Sequence, residues 1–215
     1  MNRWIRNVVT LASLVGAVSM LPGVASANEQ NERAEAKHEH GRHHHGGLVM
    51  AALKLDNLSG EQRSQIEKLV AERKSANVPV RQADARVLTE LAHQVEQAKI
   101  DRDGLKAGLD AETAAAQGAR AVDASSLGQL HALLTTSQRN TLVDAIEARM
   151  PQGKPRPEAL EAFRGESFEP SAMVKLVVPS EHAIKHAEAK VPSMTPQQRA
   201  TLAAHLRERA SRESK

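Results

Sequence analysis

The chain contains no cysteine and no tyrosine, and its aromatic residues are one tryptophan and two phenylalanines among 215 residues. Without cysteine the protein has no disulfide, no thiolate metal ligand and no thiol nucleophile. With so few aromatic rings it also lacks the stacking surfaces on which single-stranded nucleic acids bind. The core must therefore be built from aliphatic side chains, which favours closely packed helices.

Residues 1–27 have the three-part layout of a secretory signal peptide. Arg3 and Arg6 make the start positive, an uncharged apolar run follows, and the small residues ASA occupy positions 25–27. The apolar run is shorter than the roughly 20 residues that a membrane-spanning helix needs. We therefore expect export to the periplasm with cleavage after Ala27.

The charge of the chain is nearly balanced, with 29 basic and 26 acidic residues. Removal of residues 1–27 would take away two basic residues and no acidic one, which leaves 27 against 26 and a net charge of +1. This is far from the dense positive surface typical of nucleic-acid-binding proteins, so no nucleic acid partner is expected. The sequence also contains no nucleophile elbow and no phosphate-binding glycine-rich loop, and charged residues are scattered along predicted helix faces. We expect a protein that is not an enzyme.

Composition divides the remaining chain into four parts. Residues 28–47 are polar and rich in histidine, which predicts a disordered arm. Residues 48–150 carry apolar positions at helical spacing and no alternating strand pattern, which predicts an all-α domain. Residues 151–157, with the sequence PQGKPRP, form a stiff polar linker. Residues 158–215 predict an additional C-terminal helical segment.

The clearest amphipathic stripe runs from Val80 to Ala98 and includes Leu91. The tetrapeptide at residues 101–104, DRDG, predicts the end of that helix, and the next helix is predicted from about Asp110. So few large residues predict a thin, curved helical hairpin that cannot bury its stripes by itself. We therefore expect the stripe to be covered by a second copy of the chain or by a client protein.

One hexapeptide pattern occurs three times: an aliphatic residue, Ser or Thr, two variable residues, Gln and Arg. The hydroxyl residue fits a helix N-cap, and the glutamine three positions later completes a capping box. The aliphatic residue is expected to pack into a core, and the arginine, which no cap requires, to reach outward or to a partner. The copies are Leu58, Ser59, Gln62 and Arg63; Leu134, Thr135, Gln138 and Arg139; and Met194, Thr195, Gln198 and Arg199.

These hexapeptides resemble the LTxxQR motif of the Spy/CpxP/ZraP family of periplasmic stress chaperones and accessory proteins. Residues 58–150 hold two copies, as typical members do, and the third copy departs from that layout. The resemblance implies an exported helical protein without catalytic residues. It further implies ATP-independent binding of unfolded client proteins under envelope or metal stress, by a homodimer or higher oligomer. Two alternatives are a metal-binding accessory protein that modulates the periplasmic domain of a sensor kinase, and a non-catalytic structural or regulatory adaptor.

The arm is dense in histidine, with five imidazoles in the eight residues 38–45. Neutral imidazole binds zinc, copper and nickel, and the interleaved Glu39 and Arg42 distinguish the tract from an artificial tag. A weaker candidate is the pair His182 and His186, four residues apart on one predicted helix face, for which a solvated surface is the alternative. His131 is interpreted as an ordinary helix residue. The candidate zinc or other divalent transition-metal ligands of the arm are His38, His40, His43, His44 and His45.

Overall fold

The computed structural model describes residues 44–150 and 158–214, and within these ranges the structure is all-α, as predicted. The segments predicted to be a signal peptide and a linker, and most of the predicted arm, lie outside the described residues. None of the described helices is both long enough and apolar enough to cross a membrane. The helices are α1 (His44–Ala52), α2 (Gly60–Ala76), α3 (Val78–Glu96), α4 (Arg102–Leu133), α5 (Thr136–Glu147), α6 (Glu158–Arg164), α7 (Ser180–Lys190) and α8 (Pro196–Glu213), with 3-10 turns at Pro170–Met173 and Val191–Ser193.

The described helices enclose two large aliphatic cores and a small cluster of Val80, Ala116 and Ala119, and the 32-residue helix α4 contributes to all three. The first core gathers α1, α2, the C-terminal half of α4, α5 and α6, with Ile66 and Phe163 fully buried. The second gathers α3, the start of α4, α7 and α8, with Leu91 and Ile184 fully buried. Burial of each such side chain stabilises the fold by about 1.5–3 kcal/mol.

The apolar stripe of α3 is covered within the chain itself. Leu88, Leu91 and Val95 are all 0 % exposed, because α4 and α8 both pack against α3. The expectation that a second copy or a client covers this stripe is therefore wrong. The C-terminal segment completes a core that the preceding helices would leave open.

Helix α4 begins at Arg102, well before the predicted start near Asp110. The tetrapeptide that was expected only to end a helix also starts one, because the Asp101 carboxylate accepts hydrogen bonds from the backbone N–H groups of Asp103 (3.1 Å) and Gly104 (3.3 Å). Asp101 is thus an N-cap. The preceding helix closes on Ala98, whose φ of 58° is left-handed.

Both phenylalanines of the chain meet His131 in the first core. The His131 ring stacks on Phe168 with centroids 5.0 Å apart and meets Phe163 edge-on at 5.3 Å. Its Nε2 lies 2.8 Å from the carbonyl oxygen of Gly165, to which a protonated Nε2 donates. His131 is a helix residue, as predicted, but its ring is also packed into the first core. This side chain fixes α4 to the connection that follows α6.

Candidate functional site

All three motif copies begin a helix with a complete capping box, as the sequence predicts. In each copy the hydroxyl accepts a hydrogen bond from the glutamine backbone N–H, and the glutamine Oε1 accepts one from the N–H of the cap residue. The six N···O distances lie between 2.8 and 3.3 Å. Each box satisfies backbone donors that a helix start otherwise leaves unpaired. The pairs are Ser59 with Gln62 on α2, Thr135 with Gln138 on α5, and Thr195 with Gln198 on α8.

The aliphatic residue of each copy packs against a core. Leu134 is buried in the first core, and Leu58 packs against it half-buried. Met194 packs half-buried against the second core. The first two copies therefore belong to one core and the third copy to the other.

The arginine of the second copy binds the end of the preceding helix. Arg139 is 8 % exposed, and its Nη1 donates to the carbonyl oxygens of His131 (3.3 Å) and Leu134 (3.1 Å). His131 lies in the last turn of α4 and Leu134 is its C-cap. The cation thus lies where a helix leaves carbonyls unpaired and its dipole is negative. The expectation that this arginine reaches outward is wrong, because Arg139 is buried against the carbonyl groups at the end of α4.

The other two motif arginines make the same kind of contact at more open corners. Arg63 donates to the carbonyl oxygens of Leu53 (3.0 Å) and Leu55 (3.4 Å), just beyond α1. Arg199 donates to the carbonyl oxygen of Met194 at 2.7 Å. The hexapeptide is therefore a helix–helix corner, in which the hydroxyl and the glutamine cap the following helix and the arginine holds the end of the preceding segment.

The first two copies lie side by side and exchange hydrogen bonds through their glutamines. Gln62 Nε2 donates to the carbonyl oxygen of Leu133, and Gln138 Nε2 donates to that of Asn57, each at 2.9 Å. The two amides also bond to each other, with Nε2···Oε1 distances of 3.0 and 3.1 Å. Both carbonyl acceptors stand two residues before the N-cap of their own copy. The exchange is therefore reciprocal, as in a local two-fold relation.

The histidine arm falls largely beyond the part of the chain that the structure describes. His38, His40 and His43 lie outside the described residues. His44 and His45 begin α1, where the structure describes the backbone alone. The arm as a metal site stays a prediction from the sequence.

The second histidine pair lies on the exposed face of α7. His182 and His186 are four residues apart and so share one face of the helix, and both are exposed there. The carboxylates of Glu181 and Glu188 are bound by Arg102, at 2.9 and 3.2 Å. Within the described residues, no group of three or more His, Asp or Glu side chains is placed to hold a metal ion.

A carboxyl group is buried between α4 and α7, two helices of the second core. Glu112 on α4 is 0 % exposed; its Oε1 accepts a hydrogen bond from the Ser180 N–H of α7 at 3.1 Å, and its Oε2 accepts one from the Ser180 hydroxyl. Nearby, Asp84 on α3 pairs with Arg209 on α8 at 3.0 Å. Burial raises the pKa of Glu112; the Ser180 hydrogen bonds and Arg209 oppose this shift, and the Asp84 charge adds to it. The cluster joins all four helices of this core.

Two consecutive large apolar side chains are exposed in the connection that precedes α7. Leu176 is 40 % and Val177 53 % exposed, on a segment that is neither helix nor strand. No described residue hydrogen-bonds to the backbone N–H or C=O groups of residues 175–177. The segment is held at its start, where Arg120 Nε donates to the carbonyl oxygen of Val174 at 3.0 Å. It thus offers apolar side chains together with backbone groups that no described residue binds.

Comparison with protein-family models, with curated proteins and with solved structures found no match to this chain. The assignment of a function therefore depends on the geometry just described. Of its features, the motif corners and the Glu112 cluster hold the fold together, whereas Leu176 and Val177 are exposed on a backbone that no other described residue binds.

Proposed function

We propose that the protein is a periplasmic, ATP-independent holdase that binds partly unfolded clients at the segment around Leu176 and Val177. The observation that carries this proposal is the exposure of two consecutive large apolar side chains on a backbone whose polar groups have no hydrogen-bond partner among the described residues. Exposed apolar patches are typical of interaction sites. An extended client chain can pair with such a backbone as a strand pairs with a sheet edge.

This surface suits clients of many sequences. Backbone hydrogen bonds are the same for every client residue, so they give affinity without demanding a particular side chain. Leu176 and Val177 then add apolar contact area, and Lys175 is exposed beside them. The contact is small, so binding is weak at each site and needs no nucleotide for release.

Two sequence features support the periplasm and the chaperone class. The N-terminal residues have the layout of a cleaved leader, and the three hexapeptides resemble the motif of a chaperone family whose members are exported. A single capping box is common in helical proteins, whereas a repeated motif with a shared arginine is more specific.

The test is suppression of client aggregation. The purified protein, without ATP, is expected to reduce light scattering by an unfolding client at an equimolar ratio. Exchange of both Leu176 and Val177 for Ser should remove most of this activity and leave the melting temperature unchanged, because both side chains are exposed. Met50→Ser, which removes a side chain that is 52 % exposed on α1, is the matched control and should keep the activity.

Leu91→Glu separates loss of the client surface from loss of the fold. Leu91 is 0 % exposed, so a charge there should unfold the second core and abolish helical circular dichroism. If the Leu176 and Val177 double variant suppresses aggregation as well as the wild type, the client surface lies elsewhere. If several unrelated clients aggregate equally with and without the protein, the holdase function itself is wrong.

A metal-linked accessory role is the second candidate, because five histidines lie within residues 38–45. Such a protein would bind zinc or copper and act on the periplasmic domain of a sensor kinase. Calorimetric titration with Zn²⁺, alongside the aggregation assay with and without Zn²⁺, distinguishes the two functions. Tight zinc binding without any suppression of aggregation favours the accessory role.

A further inference from the structure

The third motif copy has the same local geometry as the first two. Its capping box joins Thr195 to Gln198 with N···O distances of 2.8 and 3.3 Å. Arg199 donates to the carbonyl oxygen of Met194, just as Arg139 donates to that of Leu134. A surface that fits one copy of the motif therefore meets the same groups in the third.

The third copy differs in that its glutamine Nε2 and the carbonyl two residues before its N-cap have no hydrogen-bond partner among the described residues. In the first two copies the glutamine Nε2 donates to the carbonyl two residues before the other N-cap. The equivalent groups in the third copy are Gln198 Nε2 and the carbonyl oxygen of Ser193. Both residues are exposed, and no described residue bonds to either of these two groups. By contrast Gln138 is only 4 % exposed.

We propose that the third copy pairs with the third copy of a second chain and so forms a homodimer about a two-fold axis. The pairing of the first two copies is reciprocal, with each copy giving one glutamine donor and one carbonyl acceptor. A contact of that kind is self-complementary, and two identical copies can make it across a true two-fold axis. Gln198 of each chain then donates to Ser193 of the other, and the two Gln198 amides bond to each other.

The charged and apolar neighbours of the third copy correspond to those of the first two copies. The first two copies pair although each carries an arginine, because Arg63 and Arg139 are held by carbonyls on their own side of the contact. Arg199 is held in the same way by Met194. Met194 is half-buried and occupies the position of Leu58, which is also half-buried beside the internal pair. The contact is small, so the dimer should depend on protein concentration.

Gln198→Glu is a substitution that removes the pairing and keeps the fold. Glutamate at this position still accepts the hydrogen bond from the Thr195 N–H, so the capping box survives. It has no Nε2 donor, and in a dimer it would bring two carboxylates together at the axis. Gln197→Glu is the matched control, because Gln197 is the exposed neighbour outside the box and undergoes the same change in charge.

Sedimentation velocity over a range of concentrations tests the proposal. The wild type and Gln197→Glu are expected to dimerise alike, and Gln198→Glu should raise the dimer dissociation constant by about tenfold or more. Gln198→Lys should also weaken the homodimer, and an equal mixture of the Glu and Lys variants should restore dimers through opposite charges at the axis. Circular dichroism at each concentration should show that all variants remain helical.

Three results would overturn the proposal. A wild type that stays monomeric at every concentration has no such contact. A dimer that Gln198→Glu leaves intact, or that Gln197→Glu weakens equally, uses another surface. A dimer that Gln198→Glu weakens but the mixture fails to restore brings Gln198 against a different part of the second chain.

Discussion

Arg139 and Arg63 occupy the same place in the motif but different surroundings. Arg139 is 8 % exposed and binds two carbonyls at the end of α4, whereas Arg63 is exposed and binds two carbonyls just beyond α1. A hydrogen bond from a charged donor contributes more where water is excluded, because the acceptors left behind would be buried without a partner. The energetic weight of the motif arginine should therefore follow its burial.

Arg139→Ala is expected to lower the free energy of unfolding by about 1.5–3 kcal/mol, through two carbonyls left unsatisfied. Arg63→Ala, the matched control at an exposed corner, should cost less than about 1 kcal/mol. Thr135→Ala, which removes the cap at the same corner as Arg139, should cost roughly 0.5–2 kcal/mol. Urea denaturation measures all three. An equal loss in Arg63→Ala and Arg139→Ala would contradict the argument from burial.

Helix α4 packs closely against α3 at one glycine and is open at another. A Cβ atom added at Gly108 would lie 2.9 Å from Cγ2 of Val87, which is itself only 2 % exposed. A Cβ atom added at Gly118 would meet no atom of the described residues within 4 Å. The two glycines lie on the same helix but differ in the free space around them. Substitution by alanine at each position therefore separates the effect of helix propensity from the effect of packing.

Gly118→Ala is expected to stabilise the protein by about 0.5–1 kcal/mol, because alanine loses less backbone entropy in a helix. Gly108→Ala gains the same propensity but forces α3 and α4 apart, at a cost of roughly 1–3 kcal/mol, so its net effect should be destabilising or close to zero. Thermal and urea unfolding of both variants provide the measurement. Equal stabilisation by the two would show that α3 moves aside without cost.

The residues at which helices begin are easier to predict from the sequence than the elements against which those helices pack. Each capping box lies within six residues, so the sequence around Thr135 or Thr195 contains all of its donors and acceptors. The start of α4 was missed because Asp101 and Gly104 suit both a turn and an N-cap. The choice depends on whether the following apolar residues find a core. Leu105 does so against α3, a contact that no local pattern reveals.

Contacts between distant positions could not be predicted from one sequence. The Gln62 and Gln138 side chains are 76 positions apart, and Glu112 and Ser180 are 68 apart. Each of these residues looks like an ordinary polar residue on a helix or at its end. The burial of Glu112 depends on the path of the C-terminal segment, which supplies Ser180 and also covers the α3 stripe. The predicted client surface around Leu91 is therefore buried, and the proposed client surface lies instead in a connection that has no periodic sequence pattern.

At the scale of the whole molecule, two ion pairs join the last helix, α8, to α3 on the other side of the second core. Arg207 on α8 pairs with Glu96 on α3 with two contacts of 2.6 Å, at the exposed edge. Arg209 on α8 reaches Asp84 at 3.0 Å in the interior. The buried Glu112 carboxyl lies beside this inner pair, and its charge is the least well compensated of the group, since Ser180 supplies only neutral hydrogen bonds.

The raised pKa of Glu112 has a definite consequence for stability. The folded protein holds the Glu112 proton more tightly than the unfolded chain does, chiefly because the carboxyl group is buried. Its contribution is therefore fully favourable below the unfolded pKa of about 4.3 and is lost as the pH rises through the higher folded pKa. Glu169 behaves in the opposite way, because hydrogen bonds from Ser171 lower its pKa, and its contribution is lost as the pH falls.

Glu112→Gln should thus become more favourable, relative to the wild type, as the pH rises from about 4 to about 8, because glutamine keeps an acceptor for the Ser180 N–H and never becomes charged. In the difference between the unfolding free energies of the wild type and Glu112→Gln, the contributions of all other titrating groups cancel to a good approximation. Urea denaturation at several pH values measures this difference directly. Glu169→Gln serves as the control with the opposite sign: relative to the wild type it should become less favourable as the pH rises. If the difference in unfolding free energy between the wild type and Glu112→Gln stays constant over this pH range, the pKa of the carboxyl group is the same in the folded and the unfolded protein. Glu112 would then have to be hydrated in solution, and the second core would be open between α4 and α7.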